Sequence, residues 1–134
     1  AENKDAVQLL FAGADFFLCL RDGFSDVPSH LAALAYGSIP VAPRAEPYAG
    51  SLVDMDAGLE TGTAILYAED SRDGMLAGLR RAYAACTKPE ALLKRRASAM
   101  ATDHSWERAA RSYEATYAPP VAAEPATESP TAAL

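Results

Sequence analysis

The sequence is poor in cysteine and has no long apolar run. Cys19 and Cys86 are its two cysteines, and neither lies in a Cys-x-x-Cys pair. We therefore predict no disulfide framework, no zinc or other metal site, and a reducing compartment. The longest apolar run, Leu9 to Leu20, is interrupted by Gly13 and Asp15, and it is shorter than the roughly 20 residues that span a membrane. We expect no membrane-spanning helix, and the polar first residues do not resemble a signal peptide.

Positive charge is also scarce. The 134 residues include 12 Lys and Arg against 18 Asp and Glu, for a formal net charge of −6. Nucleic acids and anionic membrane surfaces are normally bound by clustered Lys and Arg side chains. The composition therefore predicts neither nucleic acid nor membrane as a partner. Half of the residues are hydrophobic, which is typical of one folded domain.

The last part of the chain differs in composition from the rest. Residues 118–134 contain four Pro, six Ala and two Glu, with no Lys, Arg or aromatic residue. Such a segment has little apolar surface to bury, so we predict a disordered tail at 118–134 and a folded body at 1–117.

The first half of the body alternates strand and helix patterns. Three short apolar runs bounded by glycine or charged residues predict buried strands at Asp15–Leu20, Ile39–Ala42 and Thr63–Ala68. Between the first two lies an Ala- and Leu-rich helix, Ser29–Tyr36, followed by Gly37 in the position of a C-terminal cap. Strands that alternate with helices predict an α/β fold with a parallel sheet.

The second half of the body is predicted to be helical. An apolar stripe at helical spacing runs from Met75 to Cys86. Thr87 and Glu90 have the spacing of a capping box, with Pro89 in the first turn of the next helix. We interpret the basic run at 94–96 (Lys94, Arg95, Arg96) as a solvated helix end. Ser105 is predicted to cap a last helix ending near Tyr117.

Three sequence blocks resemble one family. Residues 12–41 read AGADFFLCLRDGFSDVPSHLAALAYGSIPV, which is similar to a segment of bacterial glycogen synthases and plant starch synthases that includes the motif E-P-C-G-L-T-Q. AGSLVD at 49–54 resembles the family's G-G-L-x-D, and MATDHSWERAARSYEATY at 100–117 resembles its terminal D-F-S-W block.

This resemblance implies a GT-B glycosyltransferase, built from two Rossmann-like domains that face each other across a cleft. The family transfers glucose from ADP-glucose or UDP-glucose to an α-1,4-glucan, with no cofactor implied. The chain would form a partial Rossmann-like parallel sheet, flanked by helices and with a helical C-terminal end. It would be a fragment of the C-terminal domain, whose partners are the missing N-terminal domain, the nucleotide-sugar donor and the α-glucan acceptor. The implied compartment is bacterial cytoplasm or plastid stroma.

The resemblance places an unusual residue at the family's acidic position. The Glu of E-P-C-G aligns with Phe24, and a phenyl ring cannot stabilise the positive charge that develops on the donor sugar. We therefore predict no catalytic residue in this chain. Asp22 and Asp26 lie two residues to either side, but each would need a local backbone shift to take over the role.

The same alignment gives candidate donor-binding residues. Ser29 and His30 occupy the Thr and Gln positions of the first motif, while Gly50 and Leu52 keep part of the second. Asp26, Val27 and Pro28 work against phosphate binding, because they add a negative charge, replace a glycine and remove an N–H donor. The loop at 44–51 is longer than the family's by about four residues.

Simpler structural interpretations stay open for these positions. Residues 26–29 are more typical of a helix cap followed by a first-turn proline than of a ligand-binding loop. His30 is interpreted as a helix-surface or packing histidine, and Cys19 as an inert core residue.

Two functions remain on this evidence. One is a glucan synthase fragment, and the other is a catalytically inactive relative that serves as a binding or scaffolding module in glucan synthesis. Sucrose- or trehalose-synthesising relatives of the same fold are a weaker third possibility.

Overall fold

The computed structural model describes residues 4–20, 29–45, 48–69 and 71–117. They belong to two compact units, Ala1–Thr102 and Asp103–Leu134, each of which is described by itself. Phe24, Asp22, Asp26 and the tail predicted at 118–134 lie outside the described residues, so the boundary at residue 117 stays a prediction.

The described residues form helices and strands in the order predicted, preceded by a further helix. The elements are α1 (Lys4–Gly13), β1 (Phe16–Leu18), α2 (Ser29–Ala35), β2 (Ile39–Pro43), β3 (Ile65–Tyr67), α3 (Arg72–Cys86), α4 (Pro89–Met100) and α5 (Trp106–Tyr117).

The three strands form a parallel sheet with β2 in the centre. Phe16 pairs with Ile39 between β1 and β2, and Val41 pairs with Ile65 between β2 and β3. All five residues of β2 are buried, because the strand has a neighbour on each edge while α2 and α3 pack against it. A strand covered in this way reads as a continuous apolar run, which is the pattern at 39–42. The α/β prediction and the partial Rossmann-like arrangement are confirmed.

The turn after α2 is closed by a glycine and held by an arginine from α4. Gly37 has a φ of +80°, and its N–H donates to the Leu34 carbonyl at 2.9 Å, as in a helix C-terminal cap. Arg96 donates from Nε to the Gly37 carbonyl at 2.6 Å and forms an ion pair with Asp15, just before β1. Arg95 donates to the Gly62 carbonyl at 3.3 Å. The interpretation of the 94–96 run as a solvated helix end is therefore wrong for these two arginines, which bind carbonyls far away in sequence.

Asp54, in the segment before β3, is the centre of a second group of polar contacts. One of its oxygens accepts the Leu66 N–H at 2.8 Å, and the carboxylate pairs with Arg44 at 2.8 Å and Arg81 at 2.9 Å. Arg81 also donates to the carbonyls of Leu66 and Met55. These bonds link β3, the end of β2, the segment before β3 and α3.

The boundary between α3 and α4 differs from the sequence prediction. The capping box of Thr87 and Glu90 is wrong: Lys88 is the N-cap residue of α4, and it makes no side-chain cap hydrogen bond. Thr87 instead closes α3, where its hydroxyl donates to the Ala84 carbonyl at 2.7 Å. Pro89 does lie in the first turn of α4, as predicted.

The second unit contains α5, and its N-terminus is capped as predicted. The Ser105 hydroxyl accepts the Arg108 N–H at 3.3 Å. Asp103 accepts the Ser105 N–H at 2.9 Å, and the hydrogen bonds from Ser105 lower the pKa of this carboxyl.

None of the helices among the described residues has the length and apolar character that a bilayer crossing demands.

The loop that leads into β3 is tightly organised around Asp56. Its carboxylate accepts the Gly58 N–H at 2.7 Å, the Glu60 N–H at 3.3 Å and the Thr61 hydroxyl at 2.6 Å. These hydrogen bonds, with that of the Thr61 hydroxyl foremost, hold the pKa of Asp56 well below its usual range. The loop ends at Gly62, which has a φ of +88°.

The backbone around Gly62 leaves no room for a side chain at this position. A Cβ at this position would lie 2.5 Å from the Asp54 carbonyl oxygen, which is backbone and cannot move aside. Because the positive φ and the clash act together, Gly62→Ala is expected to lower the free energy of unfolding by about 3 kcal/mol, measured by urea denaturation. The control is Gly13→Ala in α1, where a Cβ would meet nothing within 4 Å; it should leave stability unchanged or raise it by up to about 1 kcal/mol. Equal effects of the two variants would contradict the geometry of this loop.

Acid should destabilise the fold in part through Asp56. Since the folded pKa of Asp56 is depressed, its contribution is present above its unfolded pKa of about 4 and is lost as the pH falls toward the folded value. In Asp56→Asn the free energy of unfolding should depend less on pH between about pH 5 and pH 2 than in the parent chain. Thr61→Val, which removes the largest cause of the shift, should give an intermediate dependence. Parallel pH profiles for all three proteins would exclude this role.

Candidate functional site

The candidate site lies at the carboxyl ends of β1 and β2. Because the two strands are parallel, the segments that follow them emerge at the same edge of the sheet, which is where open α/β sheets bind their ligands. Ser29 begins α2, and the turn at Tyr48–Ser51 follows β2. Both segments that carry the predicted donor-binding residues therefore meet at one edge.

His30 joins the two segments directly. Its Nε2 lies 3.0 Å from the Ser51 hydroxyl, and that hydroxyl donates to the Tyr48 carbonyl at 3.3 Å. His30 is 6% exposed, so the interpretation as a packing histidine is correct for its place in the fold. It packs at the carboxyl ends of β1 and β2, where the candidate site lies.

The other predicted residues are placed differently. Ser29 is partly buried at the start of α2, and Gly50 is exposed within the turn. The Leu52 side chain is 4% exposed and belongs to the core, while its N–H donates to the Tyr48 carbonyl at 2.9 Å. Leu52 therefore anchors the turn from the core side. Contact of any of the four residues with a donor stays a prediction.

Tyr48 is a residue of this site that the sequence analysis missed. Its hydroxyl donates to the Leu20 carbonyl at 3.4 Å, and its ring meets the His30 ring edge-on with centroids 5.1 Å apart. Burial, followed by the nearby Cys19, raises the pKa of this phenol. The one signal available was the extra length of the loop at 44–51, because a longer loop can reach across a strand end.

Cys19 is a core residue, as predicted. Its side chain is 5% exposed and its N–H donates to the Val41 carbonyl at 2.9 Å. Burial raises the pKa of the thiol to about 12. A thiol with this pKa stays protonated at neutral pH and is not a nucleophile.

Among the described residues, the groups at this end of the sheet are hydrogen-bonding ones. The described residues contain no group of three or more His, Cys, Asp or Glu side chains that could hold a metal ion. Hydroxyl and imidazole groups are suited to sugar hydroxyls and phosphate oxygens. The cation that follows β2, Arg44, is paired with Asp54.

Comparisons with known proteins agree with the resemblance. The chain is 36% identical to a glycogen synthase of Myxococcus xanthus over 109 residues, which make up 81% of this chain and 22% of that protein. It is 32% identical to glycogen synthase 2 of Geobacter metallireducens over 108 residues, again 81% of this chain and 22% of the relative. The chain is related to the glycogen synthase family. A glycogen synthase of Vibrio atlanticus matches at 30% identity over 118 residues, 87% of this chain and 24% of that protein.

The relationship to glycogen synthases is partial in length. The chain spans about a fifth to a quarter of the length of the curated relatives it matches, whereas the matches cover most of the chain itself. No protein-family model matches the chain. The predicted family relationship is confirmed, and it covers a limited part of those proteins.

The His30–Ser51 contact should contribute measurably to stability. Ser51→Ala leaves the buried Nε2 of His30 without this partner, so the free energy of unfolding is expected to fall by about 1–3 kcal/mol in urea titrations. Ser51→Thr, which keeps a hydroxyl, should recover part of the loss. The matched control is Ser98→Ala at an exposed position of α4. If Ser51→Ala were as stable as this control, the contact would not hold the two segments together.

Proposed function

We propose that this chain is the C-terminal portion of a glycogen synthase-like glucosyltransferase and that it contributes part of the donor-binding surface. The observation that carries the proposal is the contact between His30 and Ser51, which joins the two segments that resemble the family's donor motifs. It lies at the strand edge where α/β sheets bind nucleotides and sugars. The relationship to glycogen synthases supports the reaction class.

The proposed reaction transfers glucose from ADP-glucose or UDP-glucose to an α-1,4-glucan. The chain acts within a larger protein whose N-terminal domain completes the cleft, since its relatives are four to five times longer than the matched part. All three relatives named above come from bacteria, which favours bacterial cytoplasm over plastid stroma among the predicted compartments.

The four predicted residues divide into two roles under this proposal. Ser29, His30 and Gly50 supply a hydroxyl, an imidazole and an open backbone position to the donor. Leu52 keeps the turn in place through its buried side chain. Each polar contact is worth about 1 kcal/mol, or roughly fivefold in affinity.

The second candidate is a catalytically inactive relative that binds or organises glucan-synthesising proteins. The observation that favours it is in the sequence: Phe24 takes the position of the family's Glu, and Asp26 and Pro28 follow in the same loop. A phenyl ring supplies no negative charge to the developing positive charge on the sugar, and such an electrostatic contribution is commonly worth about 10²–10³ in rate.

Donor binding tests the site itself. In the full protein that carries this chain, Ser29→Ala is expected to weaken ADP-glucose binding about fivefold by calorimetry, because one hydrogen bond to the donor is lost. Ser98→Ala, a serine of α4 away from the edge, should bind as the parent protein does. Lack of binding by every form, with ADP-glucose and with UDP-glucose, would contradict the donor site.

Glucose transfer by the same protein separates the two candidates. The synthase proposal expects incorporation of glucose into an α-1,4-glucan with Phe24 in place. The inactive-relative alternative expects none, with transfer appearing at best after Phe24→Glu.

A further inference from the structure

We draw no further inference here: the strongest candidate, the surface patch of exposed aromatic side chains on α5 (Trp106, Tyr113 and Tyr117), carries none because nothing in the described part of the chain shows what covers it.

Discussion

The complete burial of β2 is the constraint on which the rest of this structure depends. A strand whose five residues are all buried must pair its backbone on both edges and be covered on both faces, since an unpaired buried N–H or C=O costs free energy. β1 and β3 pair with the two edges of β2, and α2 and α3 pack against the strand. Because both neighbours are parallel to β2, the loops that follow β1 and β2 leave from the same end of the sheet, where the carboxyl ends of the strands lie. The position of the candidate site is a consequence of that arrangement.

Polar contacts between residues far apart in sequence connect α3 and α4 with the loops that flank the strands. Arg96 connects α4 with the Gly37 turn and with Asp15, while Arg81 connects α3 with Asp54 and the entry to β3. In both cases a guanidinium group binds backbone carbonyls as well as a carboxylate, which uses its several donors at fixed geometry. These arginines stabilise loop ends that apolar packing alone would leave free to shift.

The functional evidence combines a family relationship with a divergent loop. The match to glycogen synthases covers most of the chain. The fold brings the two segments that resemble the family's donor motifs into contact at the carboxyl ends of β1 and β2. The residues that depart from the family's motif are concentrated at 24–28, whereas His30 packs against the turn that contains Gly50 and is anchored by the buried Leu52. Burial therefore stabilises the fold of this protein, whereas individual side chains determine which ligands the candidate site can bind.

The sequence by itself determined the elements and their class, because periodic burial and glycine punctuation act locally. The run at 39–42 predicted β2, and Gly37 predicted the end of α2. Family motifs also predicted which segments would bind the donor, and that stays a prediction. Only the tertiary structure decided the partners of individual side chains. Arg95 and Arg96 were expected to be solvated and instead bind distant carbonyls, Thr87 caps the preceding helix, and Tyr48 reaches Leu20. The physical reason is that these contacts join residues far apart in sequence or depend on how a helix ends, and local pattern carries no information about which donor will lie within 3 Å of which acceptor after the sheet has assembled.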